Sequence, residues 1–124
     1  MPGPVVNARQ TVQSLPDLWS PRVIARVADQ YVKVARVHGE FVWHDHANQD
    51  ELFHVLEGEL VIEFEDGSVT LRPGDVHVVP AGVRHRPVAR EECWVMLVEP
   101  VETEHTGAER TPLTRSIDEQ LGTG

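Results

Sequence analysis

Four glycine-bearing turns cut the middle of this chain into short runs: Leu56-Glu57-Gly58-Glu59, Glu65-Asp66-Gly67-Ser68, Arg72-Pro73-Gly74-Asp75 and Pro80-Ala81-Gly82-Val83. Runs this short are marginal as helices but are ordinary strand lengths. They are rich in valine, isoleucine and aromatics, as a pleated, half-buried surface requires. Leu60, Ile62 and Phe64 alternate with Val61, Glu63 and Glu65, so one face of that run is apolar. Asp66-Gly67 between two alternating runs is a strong hairpin signal. Strands are expected at 5–12, 23–28, 31–38, 41–46, 51–56, 59–65, 68–72, 76–80, 85–89 and 93–99. No long segment carries a 3.6-residue period. Residues 115–121 could form one or two helical turns, with Ser116 as cap. Evenly spaced strands with tight turns predict an all-β sandwich or barrel.

The chain has 124 residues, which predicts one domain burying about two-thirds of its unfolded surface. The ends, an arm at 1–30 and a tail at 101–124, flank a core near 32–99. Residues 102–114 are expected to lie extended over the surface. The formal charge of −9 argues against nucleic acid or an anionic membrane as partner, since both reward basic patches. The apolar runs are too short to span a bilayer as helices. The absence of a basic-then-apolar leader, with a single cysteine, Cys93, predicts a reduced cytoplasmic protein with a buried thiol.

The segment from Gly39 to Glu51 carries the chemistry. His44, His46 and Glu51 stand in a His-x-His-x4-Glu spacing. On a strand, residues two apart project to one side, so His44 and His46 would share a face. Glu51 follows a polar turn that can bring it back toward them. Two imidazoles and a carboxylate suit a divalent transition metal. His85 is a fourth candidate, 39 residues past His46.

With Gly58, the first set resembles the first motif of the cupin superfamily, although four residues separate Gly39 from His44 where five are usual. Gly74, Pro80, Gly82 and His85 fit the second motif in order and spacing. Its closing Asn is Ala89 here, a departure that falls outside the metal ligands. The resemblance is to small single-domain cupins often labelled phosphomannose-isomerase-like, a label of fold rather than reaction. It implies a double-stranded β-helix, a jelly-roll barrel, with an N-terminal strand arm and a short C-terminal tail. It also implies that His85 joins His44, His46 and Glu51 around one divalent metal: Fe, Mn, Ni, Co or Zn. Such sites support dioxygenase chemistry or non-redox isomerase, epimerase or lyase chemistry on a small molecule. They also serve metal-dependent binding or sensing without turnover.

Neighbouring residues carry weaker expectations. Phe53 and Val55 share parity with Glu51 and should line the barrel. His54 should face the other way, at a surface or interface. The alternation leaves the face of His77 open, and His38 has no spacing that assigns it to the site. His105, in the tail, is expected to be solvated. Asp45 should point away from the ligand histidines, and Asp50 should serve the turn. Lys33 and Arg36 lie on opposite strand faces, and whichever points inward could anchor an anionic substrate. Trp19 and Trp43, outside the inward set, together with the extra N-terminal strands, predict a homodimer.

Overall fold

The computed structural model describes residues 2–122. Seven strands and two short helices run in the order α1 (Ala8–Ser14), β1 (Arg22–Val27), β2 (Gln30–Glu40), β3 (Glu51–Glu57), β4 (Leu60–Phe64), β5 (Gly67–Leu71), β6 (Val76–Val79), β7 (His85–Pro100) and α2 (Ile117–Leu121). All pairings between these strands are antiparallel, in the order β1-β2-β7-β3-β6, with β4 joined to β7 and to β5. This is the all-β, double-stranded β-helix expected from the sequence.

The long strand β7 closes the barrel. Its first residues pair with β4, Val88 against Val61 and His85 against Phe64. Its later residues pair with β3, Val98 against Leu52 and Val95 against Val55. The change of partner falls at Arg90, Glu91 and Glu92, which are exposed where the β2–β7 register shifts between Val37 and Gly39. A bulge bends a strand in this way. The strands expected at 85–89 and 93–99 are therefore one continuous element. Their inward parity is unbroken: His85, Pro87, Ala89, Cys93, Val95, Leu97 and Glu99 are all buried.

Inside the barrel, Val37, Phe53, Val55, Leu60, Ile62, Leu71 and Val95 form the core. Each such side chain contributes roughly 1.5–3 kcal/mol by leaving water. Burial and a nearby Glu59 push the Cys93 thiol up to about 12, so it is an inert core group.

Three expected elements differ. The strand at 5–12 is instead the helix α1. Asn7 caps it by accepting the Gln10 N–H at 2.9 Å. Ala8, Val12 and Leu15 then share one helical face, which packs on Val34, Trp94 and Met96 outside the sheet. Val5 and Val6, which suggested a strand, are exposed. The strand at 41–46 reduces to a single bridge, His44 to His85. β2 ends before it, at Glu40, one residue past Gly39 at φ +86. The tail is not an extended surface strand. Thr103 and Thr106 are buried within a series of turns, and α2, with the expected Ser116 cap in a full capping box, packs on β1.

Trp19 also departs from expectation. It stacks on Phe41 at 4.8 Å, donates its indole N–H to the His38 carbonyl, and belongs to the core. Trp43 is half-buried beneath the Arg86 guanidinium.

Candidate metal centre

The ends of two strands and one connecting segment meet at one point. Glu51 opens β3 and His85 opens β7. His44 and His46 lie on the segment between β2 and β3. That segment is pinned by reciprocal His44–His85 backbone bonds of 3.0 and 2.9 Å, and by Gly82 N–H to the His46 carbonyl at 2.8 Å. Asp50 adds a tie by accepting the Ala81 N–H at 2.9 Å, the turn role expected of it. The irregular backbone thus does what a strand was expected to do: both histidines face one way.

His44, His46, Glu51 and His85 are all buried, and their donor atoms lie within 4.8 Å of one another. Among the described residues they form the one cluster of this kind. His44 Nδ1 lies 2.9 Å from the Val42 carbonyl, and His85 Nδ1 lies 2.9 Å from the Val83 carbonyl. Carbonyls only accept, so each Nδ1 carries the proton and each Nε2 presents a lone pair. His85 Nε2 then faces Glu51 Oε1 at 3.4 Å, with His46 Nε2 at 3.5 Å from the same oxygen. Both His46 nitrogens, His85 Nε2 and Glu51 Oε1 are buried without hydrogen-bond partners. Lone pairs converging in a dry interior are unfavourable unless a cation lies among them. The donor set fits a divalent transition ion.

Protonation agrees with ligation. Burial first, then the His85 charge, push His44 down to about 4, so it is neutral at physiological pH. Burial alone would raise Glu51, but positive charge facing it, carried on the His46 and His85 side in the metal-free site and by the ion were one bound, outweighs burial and holds the carboxyl well below its usual range. Glu51 is the ionised member.

Two further residues support the site. Glu99 lies near Glu51, and burial followed by the Glu51 charge holds Glu99 well above the usual carboxyl range. Lys33 Nζ, also buried, lies 2.8 Å from Glu99 Oε1 and reaches Gln120 of α2. Lys33 is thus the inward member of its pair with Arg36, committed to Glu99. Arg36 points out to Glu92 and the Leu15 carbonyl. Glu99 was legible in principle, since it continues the inward parity of Cys93, Val95 and Leu97.

His105 is a correction. It is half-buried rather than solvated, with its ring 5.1 Å from Phe41 and its Nδ1 accepting the Arg115 N–H at 2.9 Å. Nothing periodic in the tail marks it. His54 is half-buried on the face opposite Glu51, His77 sits by Phe64, and His38 is exposed with Nε2 at the Arg90 carbonyl. None of these three joins the cluster. Asp45 is half-buried and also outside it.

Beside the cluster lies a cavity of about 40 Å³. That is space for roughly three waters. Its wall is apolar, with Trp19, Phe41, Phe53, Leu60 and Leu97, broken by His44, Glu51 and His105.

The molecule has recognisable relatives. A cupin-2 domain containing protein from Shewanella frigidimarina is 48% identical, covers 77% of this chain and 94% of its own, and superposes with a TM-score of 0.75. Protein NMB1881 from Neisseria meningitidis is 31% identical, covers 78% of this chain and 99% of its own, with a TM-score of 0.71. The Bacillus subtilis protein YdbB is 45% identical over 64 residues, which span 51% of this chain and 57% of that relative. The cupin domain family model matches residues 31–99, and the chain belongs to the cupin family.

Proposed function

We propose that this chain is a metal-dependent enzyme acting on a small molecule. One observation carries the reading: four buried donors converge beside an apolar cavity, and those of His46, Glu51 and His85 have no hydrogen-bond partner. His44, His46, Glu51 and His85 would hold the ion. When bound, such an ion polarises an oxygen or, if redox-active, exchanges electrons. The chain's own residues do the rest. The Val42 and Val83 carbonyls fix two imidazoles in their ligating tautomers. Glu99, backed by Lys33, orients Glu51. Trp19, Phe41 and Phe53 keep bulk water from the reacting atoms.

Dioxygenase chemistry and non-redox isomerase, epimerase or lyase chemistry both suit this ligand set. The metal separates them. Elemental analysis of anaerobically purified protein is expected to give one transition ion per chain. With Fe²⁺, oxygen uptake on candidate substrates supports the first; its absence leaves the second. The small cavity favours one other reading, metal-dependent binding without turnover. That reading gains if the metal-loaded protein returns every bound ligand unchanged. A reducing, cytoplasmic setting is proposed from the single buried Cys93.

A further inference from the structure

The polar groups on the cavity wall are the ligands His44 and Glu51 and one residue outside the metal set, His105. His105 belongs to no strand. The turns after β7 carry it to the wall, where Phe41 separates its ring (5.1 Å) from that of His44 (5.4 Å).

Its tautomer follows from its partner. The Arg115 backbone N–H can only donate, so Nδ1 is the bare nitrogen. The proton of the neutral ring is therefore on Nε2. Burial, then the Lys33 charge, push His105 down to about 3, so the ring is neutral wherever the protein is folded and functional. Among the described residues, Nε2 has no hydrogen-bond partner. The ring is thus a fixed N–H donor beside an otherwise apolar space.

Charge defines what that donor would meet. A divalent ion held by three neutral imidazoles and one carboxylate keeps a net charge of about +1. In a low-dielectric cavity the favoured guest cancels that charge. The volume of about 40 Å³ restricts it to a small body.

We propose that His105 is a ligand-positioning residue, donating its Nε2–H to a small monoanion that occupies the cavity and completes the metal's coordination. The class is compact oxyanions or nitrogen anions, such as a short carboxylate or an enolate. This rests on the metal reading above and adds a residue and a ligand charge to it.

The test uses full-length protein loaded with Co²⁺ and azide as the monoanionic probe, with binding followed by visible absorption. Azide is expected to bind the wild type. His105→Phe keeps the ring volume but loses the donor, and should weaken azide about tenfold at unchanged Co²⁺ stoichiometry. His105→Gln, with an amide that can both accept from Arg115 and donate inward, should recover most of the affinity. Equal azide affinity in wild type and His105→Phe overturns the proposal and leaves the metal reading standing. So does a cobalt-loaded wild type that takes no azide. A wild type that holds no Co²⁺ overturns the metal reading, and this proposal with it. Should His105→Phe not fold, ¹⁵N-histidine NMR of Zn²⁺-loaded wild type decides instead. Azide should shift the His105 Nε2–H resonance and slow its exchange with water; an unmoved resonance overturns the proposal.

Discussion

The histidines of the cluster are held in two different ways. His44 and His85 spend Nδ1 on backbone carbonyls two residues upstream and keep Nε2 free. His46 has neither nitrogen satisfied, so its only compensation would be the ion. His46→Ala and His85→Ala should therefore each abolish stoichiometric metal binding while circular dichroism still reports the β fold. At metal 1,000-fold above its dissociation constant, the wild type gains about 4 kcal/mol that these variants lack. His54→Ala, outside the cluster, should keep both metal and that gain. Calorimetric melting with and without metal reads the difference, and equal gains in all variants would remove the assignment. His105 supplies a pH signature. Its folded value of about 3 lies below the ordinary 6.5, through burial and the Lys33 and Arg115 charges, opposed by Glu51. The unfolded chain thus binds the proton first. The stability His105 confers is present above about pH 6.5 and is lost as pH falls toward 3. The loss is on the order of 3 kcal/mol after allowance for partial exposure. Urea titrations of metal-free protein at pH 7 and pH 4.5 should show a little over half of this drop, and it should shrink in His105→Gln.

At the level of elements, the C-terminal turns are pressed hard against the segment that carries His44 and His46. Gly107 has φ +61, and a Cβ there would collide with the Asp45 carbonyl. Gly107→Ala must therefore lift residues 104–107 from that segment. It should cost about 2 kcal/mol and make the chain beyond Pro100 cleavable by protease while the barrel resists. Uncleaved protein of wild-type stability would show that the contact does not hold the tail. The tail's role was not legible in the sequence, because Thr103, Thr106 and His105 carry no period and their burial depends on tertiary contact alone. The strands were legible where Gly turns and alternation agreed, as from Glu51 to Val79. They failed at residues 5–12, where a capping Asn7 and the Ala8–Val12–Leu15 spacing outweighed two valines. They failed again at 41–46, where β2 has already ended at Glu40 and only the His44–His85 bridge remains. The clustering of the four candidate ligands survived that second error. His44 and His46 are aligned by backbone bonds to His85 and Gly82 rather than by a strand. The fourth ligand, in turn, came from motif order, not from parity.

Across the whole molecule, the sheet order leaves β1, β5 and β6 as edges, and α2 packs on β1. The outer face of β2 and β7, with Val34, Trp94 and Met96, is already covered by α1. Trp19 is in the core. The features that first suggested a homodimer are thus largely absorbed within one chain, and the proposal moves to β6. Val76 and Val78 are 59% and 45% exposed on that edge strand. Apolar side chains on an uncovered edge invite pairing with another chain unless a charge blocks them. We therefore propose that two copies associate along β6. Sedimentation should give a mass near twice the 13.9 kDa of one chain. Lysine at both positions, Val76→Lys with Val78→Lys, should return it to one chain. Because the metal ligands open β3 and β7 rather than β6, the double variant should keep its metal. A wild type that sediments as a single chain ends the dimer proposal. A double variant that stays dimeric moves the interface elsewhere, with the exposed Val27 at the end of β1 as the next surface to charge.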